Sequence, residues 1–284
     1  MREKETPMPV VRTGQLRRVL LAAGLAHGVA AVTPAPARSQ QSSPPRGTEP
    51  ASGETIVEFN NDSRTLVALR VDPTALQGWL PAAWDVDPAP VGPFAGANLL
   101  LIFINPWLTQ NPQGKLTSVP IDRRVLLVVP AKNRQTAEAT ILVARSYDAN
   151  AKGLPGPYRN SVVAAIRLEQ TLTGSGTDPA FGTELWEASV DGGAIELHLQ
   201  YQRGVAMQSN AETRPRSAVD PTLQRIYRAN QGLDLVRSLP LGIDRVRSYS
   251  LRVTMSELRN VFDGSEQLVG LALFPWYLRQ VSLP

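Results

Sequence analysis

From Glu54 onward the chain is divided into short runs in which apolar and polar residues alternate, and this period of two most restricts the folds open to it. The clearest run is "AIELHLQYQ", Ala194 to Gln202. Ile195, Leu197, Leu199 and Tyr201 share one of its faces, and Glu196, His198, Gln200 and Gln202 share the other. Side chains of an extended backbone point alternately to opposite sides, so such a run is a half-buried strand. The same reasoning predicts strands at Thr55 to Asn60, Thr65 to Val71, Ala97 to Ile104, Arg124 to Val129, Thr140 to Tyr147, Ser161 to Leu172, Glu184 to Val190, Arg245 to Thr254 and Leu268 to Phe274. Asp191-Gly192-Gly193 predicts a hairpin, and "GLPGPYRNS", Gly153 to Ser161, predicts a second. Short connections of this kind join antiparallel neighbours.

Helical signals are fewer. Asp72-Pro73 fits a cap followed by proline in the first helical turn, opening "TALQGWL" before Pro81 stops it. Pro221 to Leu239 predicts a pair of short helices interrupted near Gly232, and "MSELRNVFDG" another of about two turns capped by Ser256. The expected fold is therefore mainly β (α+β): an antiparallel β-barrel or cone-like curled sheet with a few short packed helices.

The domain layout follows from composition. Residues 1–37 read as a secretory signal peptide: basic Arg12, Arg17 and Arg18, the apolar run "VLLAAGLAHGVAAV", then Ala35-Pro36-Ala37 as a cleavage pattern. That apolar run is too short for a comfortable membrane span, which needs roughly 20 residues. Residues 38–53, rich in Pro, Ser and Gln, read as a disordered linker, and residues 54–284 as a single domain. The implied location is periplasmic or secreted, with no stable membrane insertion after cleavage.

Charge argues against one class of partner. The whole chain carries a formal +4, but residues 1–37 hold five of its cations and two of its anions, leaving a mature protein near +1. Nothing in that balance favours nucleic acid. The chain has no cysteine, so disulfides, thiolate metal sites and cysteine nucleophiles are excluded. After the leader only one histidine remains, His198, which excludes a His-rich metal site. No cofactor-binding motif is present: Walker A, HExxH, GxSxG and GxGxxG patterns are absent.

Candidate chemistry gathers on two strands. In "VVAAIRLEQTL" Arg167 and Glu169 are two residues apart on one face, where Arg167 could hold a carboxylate and Glu169 act as acid or base. On the neighbouring alternation Glu196 and His198 either meet solvent or line a polar cavity. His198 could also serve a serine hydrolase, provided a serine and a carboxylate lie within reach. Tyr158 and Arg159, at the end of the Gly/Pro turn, would border the mouth of a site and contact substrate.

The segment "LRVDPTALQGWLPAAWDVDP", Leu69 to Pro88, followed by a sheet-rich domain with a central Gly/Pro turn, resembles the acetoacetate decarboxylase-like superfamily. Val71 to Pro81 carries the resemblance most specifically and Gly156 to Ser161 more loosely. It implies a cone-like antiparallel barrel over a small apolar pocket, and lyase chemistry in which a lysine amine condenses with a carbonyl substrate. In those decarboxylases the lysine follows a Gly-x-Pro turn and is paired with a second. Here Gly156-Pro157-Tyr158 leads to Arg159 and Asn160, and a guanidinium cannot be deprotonated to form an imine. The sequence thus supports an exported protein binding a small organic acid or carbonyl compound, acting as a lyase or hydratase without the Schiff-base lysine. The alternative is a non-catalytic ligand-binding or protein-interaction module.

Overall fold

In the computed structural model the described residues are 51–117, 122–150, 156–176 and 179–284. The expected signal peptide and most of the expected linker lie outside them. So does Lys152.

Among the described residues fifteen strands follow in chain order: β1 (Thr55–Arg70), β2 (Trp84–Val86), β3 (Leu99–Gln110), β4 (Arg124–Asn133), β5 (Ala139–Asp148), β6 (Ser161–Val163), β7 (Ala165–Thr173), β8 (Phe181–Val190), β9 (Gly193–Gln202), β10 (Met207–Thr213), β11 (Arg216–Ser217), β12 (Ile226–Ser238), β13 (Ile243–Asp244), β14 (Val246–Val253) and β15 (Gln267–Leu283). They form two sheets. The larger has eleven strands, with the main order β10-β12-β15-β1-β3-β4-β5-β11, and the smaller runs β14-β9-β8-β7.

The predicted barrel is overturned by this topology. The large ladder is open: among the described residues β10 pairs only with β12 at one end, and the two-residue β11 lies beyond β5 at the other. It is also mixed, because β5 runs parallel to both β6 and β11. The parallel β5–β6 pairing corrects the second predicted hairpin as well, since parallel neighbours need a crossover rather than a tight turn. The Asp191-Gly192 turn does join antiparallel β8 and β9, with Gly192 at φ 95°, a conformation that favours glycine. Alternation reports which face of a strand is buried but carries no information about whether a ladder closes, and that is why the barrel could not be excluded from sequence.

The helices were also over-predicted. Pro73–Gln77 (α1) is helical, and the Asp72 side chain accepts from the Thr74 N–H at 2.9 Å as its sequence promised. Most of Pro221 to Leu239 is instead β12, and the segment after Met255 contains only the short 3₁₀ turn Ser256–Leu258. In β12 the buried side chains Ala229, Leu235 and Val236 fall on both faces because the strand is covered on both sides. Such a run lacks clean alternation and imitates helical spacing.

The two sheets stack through one apolar layer. Val67, Leu69, Leu101, Phe103 and Leu271 of the large sheet meet Trp186, Ile195, Leu197 and Leu199 of the small one, and the rings of Phe103 and Trp186 lie 5.5 Å apart. A buried carboxylate spans the same layer. Glu184 on β8 accepts from Thr65 Oγ1 at 2.5 Å on β1, and from Trp186 Nε1 at 3.0 Å, Gln170 Nε2 at 2.8 Å and the Tyr201 hydroxyl at 3.4 Å on its own sheet.

Glu184→Gln keeps one acceptor oxygen but turns an NH₂ group toward two of these four donors. Unpaired buried donors cost about 1–3 kcal/mol each, so the variant is expected to lose about 2–4 kcal/mol, read as a lower urea midpoint at unchanged slope.

Candidate functional site

A 3₁₀ turn, Gly156–Tyr158, follows β5 and carries Tyr158 into a cavity of about 480 Å³ on the side of the large sheet away from the smaller one. Gly156 adopts φ 66°, and a Cβ there would stand 2.8 Å from the Arg225 guanidinium carbon. Glycine therefore meets both the backbone conformation and the close approach of Arg225, which itself lines the cavity.

The Tyr158 hydroxyl, from one end of the ladder, meets Tyr227 of β12 from the other. Tyr227 donates to the Tyr158 oxygen at 3.0 Å, and Arg279 Nη1 of β15 donates to the same oxygen at 3.2 Å. Arg279 Nε donates to Asn60 Oδ1 at 3.0 Å, and its guanidinium lies 4.3 Å from the centre of the Tyr227 ring. Asn60 is held in turn, donating to Glu58 Oε1 at 2.7 Å and Thr109 Oγ1 at 3.2 Å. Arg124 lies 5.4 Å from the Tyr158 ring centre and is neutralised by Asp122 at 3.1 Å and Asp148 at 3.3 Å.

Arg279 differs from the neighbouring arginines. Arg64 has Asp62 and Arg124 has two carboxylates, but among the described residues Arg279 has no carboxylate within ion-pair distance although it is only 6% exposed. Its fixed partners are a neutral amide and a phenol. Asp62 acts on Arg279 only from beyond ion-pair distance and is already paired with Arg64, so the buried charge is answered in part and can be answered further by an anion in the adjoining cavity.

The same arrangement polarises Tyr158. Burial pushes its hydroxyl up, but the Arg279 and Arg124 guanidiniums, the hydrogen bond from Tyr227 and the charge of Arg64 outweigh burial and bring it below the ordinary tyrosine value. Burial pushes the Tyr227 hydroxyl well up, and the neighbouring Tyr158 oxygen adds to this, so Tyr227 keeps its proton and remains the donor.

Of the residues singled out from sequence, Tyr158 is the one in this cavity. Arg167 and Glu169 stand on β7 with side chains 62% and 55% exposed, ion-paired with each other. Arg167, Glu187, Glu196 and Arg252 form one cross-strand row on the outer face of the small sheet, and Glu169, Leu185, His198 and Ser250 form the next. The structure thus gathers Arg167, Glu169, Glu196 and His198 on one surface, outside the cavity of Tyr158. Glu196 lies 3.5 Å from Arg252, and His198 is exposed, with no side-chain hydrogen bond among the described residues. Ser250 is its cross-strand neighbour, but among the described residues no hydrogen bond joins the imidazole to a serine or a carboxylate, as a hydrolase reading requires. Arg159 is exposed beside the turn. Lys115 and Lys132 are exposed too, and neither lines the cavity.

Arg279, Tyr227, Asn60 and Arg124 were not picked out from sequence. The available signal was Arg279 itself, a cation inside the apolar run "FPWYLRQVSL", but its face could not be read across Pro275. Among the described residues no cluster of three or more His, Asp or Glu side chains could hold a metal ion, and no helix is long and apolar enough to cross a membrane.

No known protein family and no curated protein matches the chain. Among solved structures it is similar to an acetoacetate decarboxylase-like enzyme from Sphingomonas wittichii RW1, at TM-score 0.48 and 13% identity over 81% of this chain and 93% of that one. It is also similar to the enduracididine biosynthesis enzyme MppR, complexed with the condensation product of pyruvate and imidazole 4-carboxaldehyde, at TM-score 0.46 and 10% identity over 80% and 87%. Acetoacetate decarboxylase from Legionella pneumophila gives TM-score 0.46 and 13% identity over 87% and 90%. The resemblance to the acetoacetate decarboxylase-like fold family is thus structural, at a moderate score and low identity.

Ultraviolet difference titration is expected to show one tyrosine ionising below the ordinary tyrosine range, absent in Tyr158→Phe. The folded state favours the ionised form of this group. Wild type should therefore gain stability relative to Tyr158→Phe as pH rises from the lowered value to the ordinary one, and lose that gain as pH falls.

Proposed function

We propose that the protein binds a small organic acid or carbonyl compound in the cavity of Tyr158, with Arg279 as the anchor for its negative charge. The carrying observation is a buried guanidinium that has hydrogen-bond partners but, among the described residues, no carboxylate within ion-pair distance, beside a cavity of about 480 Å³. A carboxylate placed there would meet a planar fork of N–H donors, the geometry for which arginine is better suited than lysine. Arg225, along the same wall, is placed to take the second oxygen or a carbonyl.

Tyr158 supplies the chemistry. Two donors already point at its oxygen, so a phenolate there is stabilised, and the position its own proton holds in the neutral form is left for the ligand. A group of this kind can take a proton from the carbon beside a carbonyl and pass it to a β-hydroxyl that leaves as water, the dehydration direction of a hydratase; where the ligand has no such leaving group, the proton exchanges with solvent. No imine is required, in keeping with the absence of lysine among the described cavity residues. Export of the protein through its leader, to the periplasm or beyond, belongs to the same proposal and rests on the sequence of residues 1–37.

Titration calorimetry with pyruvate, acetoacetate and malonate tests the anchor. At least one should bind, and Arg279→Lys should weaken it by about tenfold or more, because the ammonium retains the charge but loses the fork. Equal binding by wild type and Arg279→Lys would remove the anchor. Tyr158→Phe is expected to bind within about threefold of wild type but to abolish solvent deuterium incorporation next to the carbonyl, followed by NMR. Retained binding with no exchange even in wild type would assign the protein to the non-catalytic alternative.

A further inference from the structure

We propose that the cleft between the two sheets is a second binding site, on the opposite side of the large sheet from Tyr158, and that it takes a small zwitterion bearing a quaternary ammonium and a carboxylate. The cleft encloses about 260 Å³. Glu184 lies at its base, 5% exposed, and Trp107 and Leu172 stand at its rim, each 56% exposed.

The state of Glu184 selects the cation. Its carboxylate has about four acceptor positions, and four neutral donors already answer them: Thr65, Trp186, Gln170 and Tyr201. Among the described residues no cation lies within ion-pair distance of it. Its negative charge is therefore uncompensated locally while its hydrogen-bonding capacity is spent. A primary ammonium entering the cleft would give up water and find no acceptor for its N–H groups. A quaternary ammonium has no N–H group to satisfy and responds to charge and to aromatic faces alone.

Those faces are present. Trp186 and Tyr201 wall the cleft beside Glu184, and Trp107 reaches over its opening. Aromatic surroundings of this kind attract quaternary ammonium groups through the ring quadrupole. Gly182 makes the Tyr201 wall possible, because a Cβ there would fall 2.3 Å from the Tyr201 ring carbon Cζ. Burial and the charge of Glu184 push the Tyr201 hydroxyl up, so it stays protonated and remains a donor.

The outer end of the cleft carries the opposite charge. Arg203, two residues beyond Tyr201, lines it half-buried, and among the described residues its guanidinium makes no hydrogen bond or ion pair. Arg64, whose side chain turns to the other side of the large sheet, has its charge answered by Asp62 at 2.6 Å. The cleft thus offers an uncompensated anion within and a free guanidinium at its mouth, matching a ligand with its cation inward and its carboxylate outward.

Tryptophan fluorescence and calorimetry with trimethylglycine test this. Trimethylglycine should bind, choline should bind about tenfold or more weakly because it has nothing for Arg203, and glycine should not bind detectably. Trp107→Ala and Arg203→Ala, both at the rim, should each weaken trimethylglycine by about tenfold or more at an unchanged unfolding midpoint, and Arg279→Lys should leave it unaffected. Absence of trimethylglycine binding, glycine binding as tightly as trimethylglycine, or affinity lost in Arg279→Lys but kept in the rim variants would each overturn the assignment.

Discussion

A one-residue register shift in β15 determines which side of the large sheet Arg279 occupies. Arg64 pairs with Phe274 and Asp62 with Tyr277, so β15 uses three residues where β1 uses two. Upstream of the shift, Leu271 and Leu273 point toward the small sheet. Strict alternation would have sent Arg279 the same way, into the apolar layer between the sheets. The extra residue reverses the parity, so that Tyr277 and Val281 pack on the far side and Arg279 between them reaches Tyr158 and Asn60. Pro275 lies within the shift, where a backbone position without an N–H fits an interrupted ladder.

The same parity explains how the protein keeps two polar groups of opposite sign apart. Thr65 faces the small sheet and holds the Glu184 carboxylate, while Arg64 and Asp62 face the other way and pair with each other. Each polar group is buried, but the environments differ. Glu184 is surrounded by neutral donors from four strands, whereas Arg279 sits among rings, an amide and a phenol with open volume beside it. The first arrangement joins the two sheets and spends the hydrogen-bonding capacity of the carboxylate, and the second leaves N–H groups available to a ligand.

Strand positions with one covered face were legible in the sequence. β8 and β9 alternate because one side packs on the large sheet and the other meets water, and their hairpin turn carried the glycine it needed. The helix at Pro73 was legible for the same local reason, a cap bonded to a nearby N–H. β12 was not, because a strand covered on both sides loses the period of two. Openness of the ladder was not legible either, since it depends on which edges pair over long sequence separations. Tyr158 was found through its turn. Arg279 was missed because its face depends on a shift in register that leaves only Pro275 as a local trace. The sequence argument from paired charges led instead to Arg167 and Glu169, whose pairing is real but lies on a solvated face, where ion pairs contribute little.

β1 and β15 pair along nearly their whole lengths in the middle of the large sheet, Thr55 opposite Leu283 and Arg70 opposite Gln267. Neither can find its partner until everything between them in the chain has been made. Closing a loop of that size is entropically slow, and chains dominated by such distant pairings fold slowly. A nascent chain lacking β15 would hold β1, β3 and β4 with an uncovered edge at the centre of the future sheet, open to pairing with other chains. The strand that places Arg279 is thus also the one whose arrival ends the period of greatest risk of aggregation.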